Sequence, residues 1–339
     1  MNTSDLAPLC PAWHDGALFG TIVLHHSALF GTTVPCLAPQ CPADSLSRPK
    51  GTRVQRDQYS VWIVSPAGYS HSRCFEEVAL SLHEAFAALG YHAPIVTKPE
   101  HVTGTTLVLG CNLLAALKQR LPERFILYNL EQISRDSAWL SAEYVRLLRG
   151  HRVWDYSPHN VRALSELGIQ AVLCEIGYMP GLSRLPLSSE PDIDVLFVGS
   201  MNERRERVLR LLAAAGKRVH VGFDVYGSER DALYARAKLV LNVHYYEAKV
   251  LEIVRVSYLL ANRVCVVSET GQDLDLEGEL SDAMAFAPYE QLAERCLELL
   301  DDDTQRRAIS ERGFERFSTR SQVPRLAAAL ATPASAAAR

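Results

Sequence analysis

The chain has 339 residues, which at about 100 to 200 residues per domain predicts two domains. With 48% hydrophobic and 22% charged residues, 19 Gly and 17 Pro, the composition is that of a globular protein and excludes disordered, collagenous and coiled-coil classes. A net charge of −4, from 35 Lys and Arg against 39 Asp and Glu, argues against a protein that grips phosphate backbones, so nucleic acid is not an expected partner.

Residues 1–57 are rich in Pro, Thr, Cys and Ala, carry no basic residue before Arg48 and show no sustained period. They predict an irregular extension. Cys10, His14, His25, His26, Cys36 and Cys41 lie there, but without the tightly paired spacing of a zinc site, so no metal is expected. The eight cysteines of the chain form no C-x-x-C pair, and several sit in apolar runs such as Val264-Cys265-Val266-Val267, as reduced thiols in a cytoplasmic protein do. The apolar run Gly16 to Leu24 has no positive charge ahead of it and is shorter than the roughly 20 residues that span a bilayer, so no signal peptide and no integral membrane segment are expected.

From residue 58 one pattern is written twice. The first copy is an apolar run, Ser60 to Val64, a turn-rich loop Ser65-Pro66-Ala67-Gly68-Tyr69-Ser70, and an amphipathic stretch from Phe75 to Leu89 closed by Gly90. The second is Val195 to Val198, then Gly199-Ser200, a helix from Asn202 to Ala214 closed by Gly216, and the run Arg218 to Val221. Strand, glycine loop, helix, glycine stop and strand is the unit of a parallel sheet. Further apolar runs follow at crossover intervals: Ala93 to Val96, Thr106 to Leu109, Phe125 to Asn129, Arg152 to Tyr156 and Ala171 to Ile176, then Lys238 to Asn242, Val264 to Val267 and Ala283 to Phe286. The predicted fold is α/β, two tandem Rossmann-like doubly wound domains over 58–180 and 181–330. The Pro, Gly and Ser of Tyr178 to Asp192 mark the linker, and an Ala-rich tail over 331–339 is expected to fray.

Neither glycine loop has the G-x-G-x-x-G spacing, and no G-x-x-x-x-G-K-[ST] occurs, which speaks against dinucleotide enzymes and P-loop nucleotidases. Ser200 and Glu203 fit a capping box, but Arg204 and Arg205 fall in a first helical turn where the helix dipole disfavours cations. Two readings stand side by side: exposed arginines, or arginines and free amides docking an anion. The densest signal is Lys238 to Glu269. A strand ends in Asn242, His244, Tyr245, Tyr246 and Glu247, and a helix predicted from Lys249 to Leu260 carries Glu252 and Arg255 on an otherwise apolar element. Charges on a helix between buried strands need partners or a ligand.

This stretch resembles the donor-binding half of GT-B glycosyltransferases. So do Asp192 to Arg205, Tyr226-Gly227-Ser-Glu-Arg230-Asp231 and the closing segment Pro288 to Phe317, most of all those of the glycosyl transferases group 1 and the CgeB-like proteins. The resemblance implies transfer of a sugar from a nucleoside diphosphate sugar to an unidentified acceptor, in the cleft between the domains, without metal or cofactor. It implies that Glu252 holds the donor ribose, that Gly199 and Ser200 approach the diphosphate, and that Arg204 or Arg205 balances the leaving charge. His244, Glu247, Lys249 and Arg255 complete the expected donor-binding set. The family's two glutamates are separated by seven residues, whereas Glu247 and Glu252 are separated by four, so Glu247 does not inherit the first one's role. On the acceptor side His71, Glu131 and Asp155 are candidate bases because each lies at or just after a predicted strand end. A non-catalytic nucleotide-sugar-binding module and a nucleotide-sugar epimerase are the alternatives on the same architecture.

Overall fold

The computed structural model describes residues 58–116, 121–134, 136–246, 248–272 and 274–333, apart from the side chain at 274. The expected extension with its Cys and His residues, Glu247 and residues 334–339 lie outside the described residues.

The two copies of the sequence pattern open two parallel sheets. In the first half the elements run β1 (Tyr59–Ile63), α1 (Glu76–Ala88), β2 (Ile95–Val96), β3 (Thr105–Leu109), β4 (Phe125–Asn129), α2 (Ala142–Arg149), β5 (Arg152–Asp155), α3 (Pro158–Glu166) and β6 (Ala171–Leu173). The strand order is β2-β1-β3-β4-β5-β6, every pair parallel. The second half runs β7 (Ile193–Val198), α4 (Glu203–Ala214), β8 (Val219–Gly222), α5 (Gly227–Arg236), β9 (Ala237–Asn242), α6 (Ile253–Ala261), β10 (Val266–Glu269), α7 (Leu274–Glu279), β11 (Ala285–Ala287), α8 (Leu292–Asp301), α9 (Asp303–Ser318) and α10 (Gln322–Ala331). Its order is β11-β10-β9-β7-β8, again all parallel. The continuous apolar runs arise because the central strands are covered on both faces: every residue of β4 and β7 is buried.

Strand order reverses beside β1 in the first sheet and beside β7 in the second, and crevices open at such switch points beyond the carboxyl ends of the strands. In the second sheet this selects the loop after β7, residues 199–202, and the loop after β9, residues 243–252.

The halves are joined by more than the linker. A core that includes Val61, Leu82, Tyr258, Leu260, Phe317 and Leu326 runs from one sheet's helices to the other's. Helix α10 returns to the first half, where Arg152 donates to the carbonyls of Ala329 (2.9 Å) and Thr332 (2.6 Å), and Gln322 Oε1 accepts from the Gly177 amide (2.6 Å). Beneath lies Glu77 of α1, 3% exposed. It accepts from Arg230 of α5 at 2.9 and 2.7 Å and from Arg184 of the linker at 2.8 Å. Arg184 also donates to the Tyr258 hydroxyl (3.0 Å), which donates to Asp231 (3.0 Å).

Two local expectations change. Helix α4 is capped by Asn202, whose side chain accepts from the Arg205 amide at 2.9 Å, and not by Ser200, which lies two residues before that cap. Helix α6 begins at Ile253, four residues later than expected, because Lys249 is left-handed (φ 46°) and Glu252 is the residue preceding the first turn. Glu252 and Arg255 are therefore not an intrahelical pair.

Candidate functional site

Gly199 ends β7 with φ 145°, a conformation closed to L side chains without strain. A Cβ built there would stand 3.5 Å from Nη2 of Arg255. The chain thus turns above a guanidinium with only hydrogen atoms between them.

Arg204 and Arg205 occupy the first turn of α4 but point into the protein. Arg204 donates from Nη1 to Glu269 Oε2 (2.5 Å) and from Nη2 to Glu269 Oε1, and lies 3.9 Å over the Tyr289 ring. Arg205 is 3% exposed; Nε and Nη2 donate to the Val243 carbonyl (2.9 and 2.7 Å) and Nη1 to the Ser200 carbonyl (2.7 Å). Burial, with Arg255's charge adding to it, lowers Arg205 to about 10. Neither arginine is simply exposed: their donors satisfy a buried carboxylate and two loop carbonyls, so they brace the loops after β7 and β9. The unfavourable helix-dipole position is offset by those buried acceptors. An open hollow of about 420 Å³ between the start of α4 and Tyr289 shares Arg204 with this brace but includes none of Glu252, Arg255 or Glu131.

Glu252 sits where the loop from β9 meets α6. Its Oε2 accepts from Asn242 Nδ2 (2.9 Å) and stands 3.1 Å from His244 Nδ1, an ion-pair distance off the hydrogen-bond axis. Its Oε1 is buried, 3.8 Å from Arg205, and has no hydrogen-bond partner among the described residues. Burial pushes this carboxyl up, but His244, then Arg255 and Arg205, outweigh it and bring it down to about 2. His244 is fully buried; burial opposes its protonation, yet Glu252 and Glu269 together raise it. Its amide donates to Glu269 Oε2 (3.1 Å), and Lys249 Nζ lies 3.1 Å from Glu269 Oε1. Arg255 differs from every other cation here. It has no carboxylate within ion-pair distance among the described residues, and its hydrogen bond is to a neutral amide, Asn242 Oδ1, at 3.3 Å.

Across from these groups lie the loops of the first sheet. His71 is in the 3-10 turn Ser70–Phe75; its Nδ1 is hydrogen-bonded to the Tyr226 hydroxyl at 2.5 Å, and Ser70 Oγ donates to Asp224 at 2.5 Å. Burial chiefly lowers His71, with Arg255 adding to that and Asp224 opposing it. Gln132 Nε2 donates to the Val250 carbonyl (2.8 Å), so the loop after β4 also touches the second half. Glu131, its neighbour, is fixed by its backbone: its carbonyl accepts from Asn129 and Asn160 (both 2.9 Å). Its carboxyl has no hydrogen bond or ion pair among the described residues and is pushed up to about 7 by burial alone. Burial chiefly raises the Tyr246 hydroxyl across the interface, and the charge of Glu131 adds to it.

Asp155 is also raised to about 7, by burial working against its hydrogen bonds. It is completely buried, and both oxygens are used, by Asn129 Nδ2 (2.6 Å) and the Ser157 amide (2.9 Å). With both oxygens engaged it holds the loop that positions Glu131. Of the sequence-selected residues, Gly199, Glu252, Arg255, His71 and Glu131 are brought to the meeting of the two halves, while Arg204, Arg205, His244 and Lys249 support them. Sequence reasoning gave no role to Tyr226 or Glu269. Tyr226 and Glu269 stand within segments singled out for family likeness, but nothing local marks them as partners of residues 155 and 65 positions away.

Comparison with known proteins gives concordant results. Residues 183–331 match the family described as "Glycosyl transferase-like". The curated relatives include two uncharacterized proteins of Acanthamoeba polyphaga mimivirus. L140 is 26% identical over 196 residues, 55% of this chain and 62% of the relative. L138 is 29% identical over 122 residues, 35% of this chain and 14% of the relative. The matched part is thus less than two thirds of these relatives' lengths. Among solved structures, Anabaena HepE in complex with UDP and glucose has a TM-score of 0.56 at 12% identity, covering 82% of this chain and all of that one. WaaG, a glycosyltransferase involved in lipopolysaccharide biosynthesis, has 0.53 at 12% identity, covering 81% and 99%. These likenesses establish the two-sheet GT-B fold expected from the sequence. No described helix is long and apolar enough to cross a membrane.

Proposed function

We propose that this chain, whose residues 183–331 match the family described as "Glycosyl transferase-like" and whose fold is GT-B, moves a sugar from a nucleoside diphosphate sugar to an acceptor hydroxyl where the loops of its two sheets meet. The observation that carries the donor assignment is Glu252 Oε1, a buried carboxylate oxygen without a hydrogen-bond partner among the described residues. A carboxylate held ionised is acceptor-only, so it fits the hydroxyls of a ribose and repels a phosphate. HepE was solved with UDP and with UDP-glucose, which supports a nucleotide-sugar donor for this chain as well.

On the acceptor side Glu131 is the base. A carboxyl near 7 is ionised in part at neutral pH and takes a proton without a large penalty. The acceptor oxygen forms its bond to the anomeric carbon, and the bond from that carbon to the diphosphate breaks with its electron pair. The acceptor's proton passes to Glu131. His71 positions the first-half loop against Tyr226. The residues at this meeting point include no cluster of His, Cys, Asp and Glu that could hold a metal ion among the described residues, and the chemistry written here uses none.

The test is a thermal-shift panel of nucleoside diphosphates and their sugars. The expected result is a rise in Tm for one base in the wild type and no rise in Glu252→Ala, by loss of ligand linkage. An unchanged rise in that variant removes Glu252 from the donor site. Donor binding with no transfer or hydrolysis on any acceptor turns the protein into a binding module.

A further inference from the structure

We propose that Gln132 reads the sugar being moved: its amide oxygen accepts a hydrogen from one hydroxyl of that sugar, while its amide nitrogen ties the loop after β4 to the loop after β9. Resting on the donor reading above, this role makes the sugar one that presents a free hydroxyl where the two loops meet.

Gln132 is 7% exposed and is held from two sides. Asn160 of α3 grips the backbone around it: its Nδ2 donates to the Glu131 carbonyl (2.9 Å) and its Oδ1 accepts from the Ile133 amide (3.0 Å). The side chain then joins the halves, with Nε2 donating to the Val250 carbonyl at 2.8 Å. A carbonyl oxygen only accepts, so the nitrogen of the Gln132 amide is fixed on Val250 and its oxygen is left for another partner. That oxygen is buried and has no hydrogen-bond partner among the described residues. A tether needs a donor and nothing more. A bare buried amide oxygen loses about as much as the tether gains, so the choice of Gln is explained by a ligand that brings a hydrogen to it.

The neighbours define that ligand. Val250 stands two residues before Glu252, whose Oε1 is also buried without a hydrogen-bond partner, and the residue before Gln132 is Glu131, whose carboxyl makes none. All three offer oxygens, so the group that lies among them has to supply hydrogens, which a sugar hydroxyl does and a phosphate does not. With the ribose at Glu252 and the acceptor hydroxyl at Glu131, the sugar in transit is the part of the substrates that falls between. Gln132 is anchored to the loop that carries Glu252 and clamped by Asn160, so its oxygen is placed before the sugar arrives. A site built to bond a hydroxyl rejects the analogue that lacks it, because the buried oxygen is then left bare.

The test is calorimetric titration of the full chain with UDP, GDP, ADP, CDP and dTDP, with their hexose and N-acetylhexosamine conjugates, and with the monodeoxy and monofluoro forms of the conjugate that binds. Wild type is expected to lose about 10-fold in affinity when one hydroxyl is replaced by hydrogen, and as much when fluorine, which cannot donate, replaces it. Gln132→Met keeps the length of the side chain and removes the amide. It should bind the nucleoside diphosphate as wild type does, bind the conjugate about 10-fold more weakly, and no longer distinguish the deoxy form. If the variant melts lower but keeps the deoxy penalty, Gln132 is only a tether and the proposal is overturned. It is overturned as well if the variant keeps its affinity for the conjugate and loses transfer alone, since the oxygen then serves the acceptor. A wild type in which no deoxy form loses more than about 2-fold overturns it without any variant, which covers the case in which Gln132→Met does not fold. A folded wild type that binds none of the nucleoside diphosphates overturns the donor reading at Glu252, whereas one that binds them and gains nothing from the sugar overturns the role of Gln132 alone.

Discussion

The carboxyl ends of the two sheets carry opposite electrostatics. Around β7, β9 and β10 the acids Glu252 and Glu269 are buried among Arg204, Arg205, His244 and Lys249 and are pulled below the usual carboxylate range. Around β4 and β5 the acids Glu131 and Asp155 have no ion pair among the described residues and are pushed up by burial to about 7. The same burial acts on both pairs, so the neighbours decide the sign. The second half is built to hold fixed charges; the first half can exchange a proton near neutrality. This is the division that glycosyl transfer needs, since the leaving group brings charge to one side and the acceptor gives up a proton on the other.

The most severe way to test the contrast is to remove the proposed proton acceptor. Glu131→Gln is expected to lower kcat about 100-fold, within the range for loss of a general base. The wild-type rise of kcat/KM with pH, centred near 7, should vanish with it. An unchanged profile with normal activity would end the contrast as a mechanistic statement.

The contrast also presumes that the halves are held together, which Glu77 tests. Glu77→Ala leaves Arg184 and Arg230 without the buried carboxylate they share and is expected to cost about 3–5 kcal/mol in denaturant unfolding. A loss below 1 kcal/mol would mean that water compensates the two arginines and that the shared apolar core alone joins the halves.

The smallest effect is in the pH dependence of stability. Glu131 has a folded pKa of about 7 against about 4.5 unfolded, so the folded chain binds more protons in that window and its stability falls as pH rises through it. Glu131→Gln removes this share and should narrow the difference between pH 5 and pH 7.5 by on the order of 2 kcal/mol. Glu252 works in the other direction. Its folded pKa of about 2 adds stability above the unfolded value, lost as pH falls towards 2, so Glu252→Gln should flatten the acid side. If both variants changed the same side of the curve, the opposite signs assigned to the two halves would be wrong.

Much of the frame was legible in the residues. The paired motif of apolar run, glycine loop, helix and glycine stop appears as β1–α1 and β7–α4, and Phe125–Asn129 was read without error as β4. Local sequence suffices there because the period of a buried strand and the stop signal of Gly90 or Gly216 act within a few residues, and both glycines are left-handed as a helix stop requires. His71 and Glu131 were marked by their place at or after a strand end, Glu252 and Arg255 as charges on an apolar helix, and Gly199 by the likeness of its loop to a known family.

What those residues do was decided only by the tertiary structure. Asp155 and Glu131 looked alike as strand-end acids; burial behind Asn129 and Ser157 makes one a support and leaves the other's carboxyl available. Arg204 and Arg205 looked like the free cations, but Glu269, 65 residues further on, and the carbonyl of Val243 claim them. The same long-range pairing leaves Arg255 without an ion pair among the described residues. Sequence by itself determined that there are two sheets and where their first strand–loop–helix units lie, because hydrophobic period and chain-terminating residues are local. Which charges are spent and which remain depends on partners tens to more than a hundred residues away, and only folding brings them within hydrogen-bond distance.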